Sequence, residues 1–95
     1  MMEIKIKNVN AKIDQSLVDK IHGCFQKPWW KDWALRKVEV YVYQKKRHIQ
    51  SIGIACNIGD ELYFNNAYEV DFEKAFHAAL YKLEQQVSGA VNNIE

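Results

Sequence analysis

A chain of 95 residues can form one domain with a core of about two packed layers, but not a second domain. Its 48% hydrophobic content, single proline and four glycines exclude a disordered or collagen-like chain. The net charge of +1 suggests no nucleic-acid partner by itself. However, residues 1–48 hold eleven Lys or Arg and five Asp or Glu (+6), whereas residues 49–95 hold two and seven (−5), an asymmetry that indicates a polyanion-facing surface.

The first two predicted elements are a strand and a helix. Residues 4–7 alternate Ile and Lys, which predicts a half-buried strand with its lysines pointing outward. Asp14 is a candidate helix N-cap, and Pro28 must end the helix that follows. One apolar face of this helix is predicted from residues spaced three and four apart: Leu17, Val18, Ile21 and Phe25.

Three strands are predicted next, as an antiparallel meander. The first is indicated by valines at every second position from 38 to 42, and polar residues 44–48 then predict a hairpin loop. The second runs through alternating apolar residues from Ile52 to Ile58. Gly59 and Asp60 predict a tight turn into a last strand from Glu61 to about Tyr68.

The last helix completes a predicted α+β fold. Asp71 is its candidate N-cap and Gly89 is expected to end or fray it, around an apolar stripe of Phe72, Phe76, Ala79, Leu80, Leu83 and Val87. The order β-α-β-β-β-α predicts a two-layer sandwich over residues 1–95, a single domain. A right-handed crossover makes the first two strands parallel, so the four-stranded sheet is mixed and carries both helices on one face.

Features of the chain also predict where the protein resides. Cys24 and Cys56 lie far apart without a CxxC motif, which is typical of a reducing compartment and of small buried side chains. Neither a signal sequence nor a membrane-spanning apolar run is recognisable. We therefore expect a soluble cytoplasmic protein with no membrane partner.

The sequence contains no motif of a known enzyme class. Phosphate-binding glycine loops, nucleophile elbows and zinc-protease motifs are missing, and the three histidines have no metal-ligand spacing. The adjacent carboxylates fall at turn and cap positions, where structural roles explain them. We predict that the protein is not an enzyme and uses no cofactor or metal.

Three features could bind RNA, and each has a purely structural alternative. The basic hairpin could follow a phosphate backbone or be a solvated loop; its cations are Lys45, Lys46 and Arg47. A second basic group is interleaved with indoles that could stack on unpaired bases: Lys27, Lys31, Arg36 and Lys37, with Trp29, Trp30 and Trp33. Tryptophans at such a position also close the end of a core, and we expect at least one to be buried and one exposed. The third is a row on the uncovered sheet face, where amphipathic aromatics are common anyway: Lys5, Lys7, Tyr41 and Tyr43.

The order of elements and several phrases resemble one family, the bacterial ribosome hibernation-promoting factors, also called sigma-54 modulation or ribosome-associated inhibitor proteins. The resemblance spans the whole chain. It is carried by the phrases IDQSL (13–17), VEVYV (38–42), GDEL (59–62), VDFEKAF (70–76) and YKLEQQV (81–87).

The resemblance implies a stress-response protein that docks on the small ribosomal subunit, in the mRNA and tRNA channel, and stops translation without catalysis. It implies that Lys27 and Lys82 contact ribosomal RNA phosphates. The chain departs from the family at four usually cationic positions, which weakens the expected phosphate affinity: Cys24, Gln85, Gly89 and Val91. The alternative is a protein-interaction module or homodimer anchored by Trp29, Trp30 and Trp33, without RNA binding.

Overall fold

The structure is a computed structural model that describes residues 3–8, 11–26, 35–47, 49–58 and 60–92. The predicted order of elements is confirmed. Its strands are β1 (Glu3–Asn8), β2 (Leu35–Lys46), β3 (Ile49–Ile58) and β4 (Glu61–Glu69), and its helices are α1 (Gln15–Cys24) and α2 (Phe72–Asn92).

The four strands form one mixed sheet in the order β1-β2-β3-β4. β1 and β2 are parallel, with Ile4 beside Val38 and Ile6 beside Val40. β2, β3 and β4 form the predicted antiparallel meander. The α1 crossover is what allows β1 to lie parallel to β2 at the edge of the sheet.

The core lies between the sheet and the two helices. Alternate residues of β2 and β3 point into it, and the valines of β2 are fully buried, as the alternation predicted. Phe25, just after α1, meets Phe76 of α2 edge to face, with ring centroids 6.2 Å apart. This contact joins the two helices over one face of the sheet and leaves the other face open.

Both helices begin at the predicted aspartates. The Asp14 carboxylate accepts a hydrogen bond from the Leu17 amide at 2.9 Å, and the Asp71 carboxylate accepts one from the Lys74 amide at 2.8 Å. Each cap satisfies an amide that has no partner inside the helix. β1 ends at Asn8 beside Val42, and β4 ends at Glu69 beside Gln50, so both strands run toward the β2–β3 hairpin. The helices that follow these two strands therefore begin at that end of the sheet.

Two predicted boundaries are wrong. The β2–β3 connection is shorter than residues 44–48, because Gln44 pairs with Gln50 and Lys46 with Ile49 across a bulge. The Gln44 side chain also donates to the Arg47 carbonyl at 3.2 Å. Gly89 does not end α2, which continues to Asn92, and the alternative that it frays the helix stays a prediction. A single exposed glycine weakens a helix by only about 1 kcal/mol, which the packing of the rest of α2 offsets.

Within the described residues, neither helix is long and apolar enough to cross a membrane.

Candidate functional site

The open face of the sheet consists of two raised rows with a flat strip between them. The rows are alternate residues of β2 and β4, and the strip is the small residues of β3. In register, Tyr41 pairs with Gly53 and Gly53 with Asn66. The face therefore has a charged side toward β1 and an apolar side toward β4.

The charged side is organised around Glu39. Its carboxylate lies 2.8 Å from Lys7 Nζ and 3.1 Å from Lys37 Nζ, and it accepts a hydrogen bond from the Tyr41 hydroxyl. The hydrogen bonds from Lys7, Tyr41 and Lys37 lower the pKa of Glu39 to about 2. The same contacts raise the pKa of Lys7 and of Tyr41, since each of them, while protonated, donates a hydrogen bond to Glu39. These cations are already matched by an anion, as is Lys5, which lies 3.3 Å from Glu3.

The apolar side is the row of residues that β4 presents to solvent. Leu62 is 68% exposed, Phe64 51% and Tyr68 47%. The Phe64 ring lies over β3, so that a Cβ at Gly53 would stand 3.0 Å from it. The strand was predicted from the sequence but this row was not, although Leu62, Phe64 and Tyr68 lie at alternate positions and indicate it.

A shallow cavity of about 480 Å³ opens where the two sides of the open face meet at one end of the sheet. Its charged groups are one lysine, Lys37, and two carboxylates, Glu39 and Asp60. It therefore has no excess of positive charge to attract a phosphate.

The opposite end of the molecule has a different character. A groove of about 540 Å³ lies between the first turns of α1 and α2. Lys20 of α1 bridges it to Glu73 of α2 at 2.7 Å. Lys12 and Lys74 also line the groove, exposed and without an ion pair to any described residue, together with the N-cap carboxylates Asp14 and Asp71. No pattern along the sequence groups these two lysines, because their proximity depends on how the helices pack.

Arg47 is the predicted RNA-binding residue that lies at this same end. It is exposed at the tip of the β2–β3 hairpin and forms no ion pair within the described part of the chain. Lys37 is ten positions away along β2, which is about 30 Å in an extended strand. The predicted cations therefore do not form one patch.

Lys82 lies on the exposed surface of α2. Its ammonium group donates a hydrogen bond to the main-chain carbonyl of Asn66 in β4 at 3.3 Å. A neighbouring side chain, Gln86, receives a hydrogen bond from Asn65. Both contacts attach α2 to β4, and Gln85, one of the departures from the family pattern, is exposed between them.

The remaining predicted site residues lie outside the part of the chain whose placement is described. The side chains of three cations on β2 belong to this group, although the main chain there is described: Arg36, Lys45 and Lys46. Five residues lie there entirely: Lys27, Trp29, Trp30, Lys31 and Trp33. The expectations for the tryptophans stay predictions.

The described residues include no group of three or more His, Cys, Asp or Glu side chains that could hold a metal ion. Cys56 is buried, as predicted, and burial raises the pKa of its thiol to about 11. A thiol in this state is a poor nucleophile at neutral pH. His77 is an exposed residue of α2, 4.0 Å from Glu73.

No protein-family model matches the sequence, and no curated protein does. Among solved structures, the fold is similar to that of a ribosomal subunit interface protein from Coxiella burnetii, with a TM-score of 0.85 and 15% sequence identity. The similarity covers 96% of this chain and 99% of the other. At this identity it shows the fold, and the fold implied by the resemblance in the sequence is confirmed.

Proposed function

We propose that this protein associates with the ribosome as a non-catalytic factor and occupies the mRNA and tRNA channel of the small subunit, so that translation stops. The observation that carries the proposal is the similarity of fold, over nearly the whole chain, to a protein whose name places it at the interface of the ribosomal subunits. The resemblance of the sequence to hibernation factors points in the same direction.

The hairpin end of the molecule is the part best suited to contact RNA phosphates. Arg47 lies at the hairpin tip, and Lys12 and Lys74 line the groove between the helices, all exposed and without an ion pair among the described residues. An unpaired cation gains more from a phosphate than one that must first leave a carboxylate. Lys45 and Lys46, at the end of β2, remain part of the proposed surface.

Other predicted contacts contribute less or depend on rearrangement. Lys37 shares its charge with Glu39, so it gives up an ion pair on meeting a phosphate. Lys82 must leave the Asn66 carbonyl, which is a weaker and exposed contact. Lys27, Lys31 and Arg36 remain part of the proposed surface.

The alternative of a partner or homodimer anchored by Trp29, Trp30 and Trp33 stays a prediction. No contact of the described residues favours it.

Co-sedimentation with isolated small subunits at low salt tests the proposal. We expect the wild-type protein to sediment with the subunits, and Arg47→Glu to weaken this binding about tenfold through loss of a phosphate contact and added repulsion. Lys5→Glu is the matched control, because it changes the net charge equally but removes an exposed lysine that already pairs with Glu3. We expect it to bind almost as the wild type does.

Two results would count against the proposal. One is failure of the wild-type protein to sediment with the subunits at any salt concentration. The other is an equal loss of binding in Arg47→Glu and Lys5→Glu, which would mean that net charge alone, and no defined surface, drives the association.

A further inference from the structure

β4 presents a free edge. Among the described strands it pairs only with β3, and that pairing runs from Glu61 to Glu69 without a bulge. Its sequence, ELYFNNAYE, has no lysine and no proline, and its only charges are the two terminal glutamates. Native proteins usually protect such an edge with lysine, proline or a bulge, since its unpaired main-chain groups can pair with another strand.

The side chains of the same strand favour a protein over RNA as the occupant of this edge. Leu62, Phe64 and Tyr68 form an exposed apolar row, a composition typical of the centre of a protein interface. On the neighbouring strands, each described lysine of this face already contacts Glu3 or Glu39, so a phosphate would have to compete with an existing ion pair.

We propose that a second copy of this chain pairs with β4, antiparallel and across a two-fold axis, so that the two sheets become one sheet of eight strands. An isologous contact of this kind needs a surface that is complementary to itself. The charges near β4 decide which register provides it.

Three registers place a central residue of β4 on the two-fold axis: Phe64, Asn65 or Asn66. With Asn65 on the axis, Glu61 lies opposite the partner's Glu69, and two like charges meet twice. With Asn66 on the axis, both copies of Lys82 meet there, because each reaches the Asn66 carbonyl of its own chain. Like charges placed directly opposite each other are destabilising in a sheet.

The register with Phe64 on the axis avoids both conflicts. It pairs Phe64 with the partner's Phe64 and Leu62 with the partner's Asn66, so the two phenylalanines meet at the axis. It also places Glu61 opposite the partner's Ala67, next to the carbonyl that the partner's Lys82 reaches. Lys82 thus covers the edge in the monomer by one exposed hydrogen bond, and in the pair it exchanges that bond for a contact with Glu61 of the partner subunit.

Sedimentation equilibrium of the protein alone, from micromolar to about 1 mM, tests this pairing. A short edge contact lies at the weak end of protein interfaces, so we expect the average mass to rise with concentration from 11.2 kDa toward twice that value. Phe64→Lys and Glu61→Lys should each weaken association about tenfold or more. The double charge exchange Glu61→Lys with Lys82→Glu should restore at least part of it.

Lys74→Glu is the matched control for Lys82→Glu, because both remove an exposed lysine of α2 and only Lys82 contacts β4. We expect Lys74→Glu to associate as the wild type does, and circular dichroism should show every variant to be folded. The pairing is overturned if the protein is a monomer up to about 1 mM, or if the charge exchange restores nothing. It is also overturned if Phe64→Lys leaves self-association intact and instead changes the binding of single-stranded RNA, because the open face would then serve RNA. None of these measurements involves ribosomes, so their outcome is independent of the proposed function.

Discussion

At the scale of single residues, Glu39 determines how the open face of the sheet behaves. One carboxylate takes three hydrogen-bond donors, from Lys7, Lys37 and Tyr41. The sequence alternation predicts that Lys7, Glu39 and Tyr41 share a face. It does not predict that they touch, because contact between Lys7 and Glu39 depends on the register of β1 against β2. The face therefore has the composition of an RNA-binding surface, but Lys7 and Lys37 already contact a carboxylate of the protein itself.

The lowered pKa of Glu39 predicts a specific dependence of stability on pH. Its folded value of about 2 lies below the ordinary value of 4.5, so the ionised form is favoured in the folded protein. This contribution is complete above about pH 4.5 and is lost as the pH falls toward 2. Glu39→Gln should therefore lower the free energy of unfolding at neutral pH, and its difference from the wild type should shrink between pH 4.5 and 2.

Urea denaturation of both proteins over a series of pH values measures this difference. Glu3→Gln serves as the control, since it removes an exposed carboxylate whose ion pair among the described residues is with Lys5 alone, and it should change the free energy of unfolding less. A difference between Glu39→Gln and the wild type that stays constant down to pH 2 would contradict the assignment.

At the scale of elements, local patterns predicted most of the fold, because a strand or helix in this chain has its own period and its own start signal. Asp14 and Asp71 are N-caps as expected, and the valines of β2 are buried. The hairpin was predicted too long because polar residues suit a loop and a solvent-exposed strand end equally well. Only pairing with Gln50 and Ile49, across the turn, extends β2 through Gln44 to Lys46.

Gly89 is a second position at which the local sequence predicted a boundary that the fold does not have, and it provides a stability test. It lies inside α2, is exposed, and has open space where a Cβ would stand. Gly89→Ala should therefore raise the free energy of unfolding by about 0.5 to 1 kcal/mol, since alanine loses less backbone entropy in a helix. Thermal or urea denaturation measures this change.

The matched substitution is Gly23→Ala in α1, which is also exposed with open space around it but lies next to the last residue of its helix. Gly23→Ala should raise the free energy of unfolding less than Gly89→Ala does, because the terminal turns of a helix fray. A neutral or destabilising Gly89→Ala would mean that α2 ends earlier than Asn92.

At the scale of the whole molecule, the sequence identified a basic first half but not where its free cations lie. Folding uses Lys7, Lys20 and Lys37 in ion pairs with acidic side chains. The lysines at the groove, Lys12 and Lys74, come from opposite halves of the chain, so no count of charge along the sequence groups them. Lys12, Lys20 and Lys74 lie among three carboxylates there, Asp14, Asp71 and Glu73, so what distinguishes the hairpin end is exposed cations without an ion pair among the described residues rather than an excess of positive charge.

The dependence of ribosome binding on salt distinguishes a defined phosphate contact at that end from general attraction. Each cation that neutralises an RNA phosphate releases counterions, and this adds about 0.7 to 0.9 to the slope of log K against log salt concentration. Arg47→Ala should lower the magnitude of the slope by about this amount, whereas Lys5→Ala should leave it unchanged because Lys5 is paired with Glu3. Binding to small subunits at four or five salt concentrations gives both slopes. If Arg47→Ala weakened binding without changing the slope, the hairpin tip would contact the ribosome through something other than a phosphate.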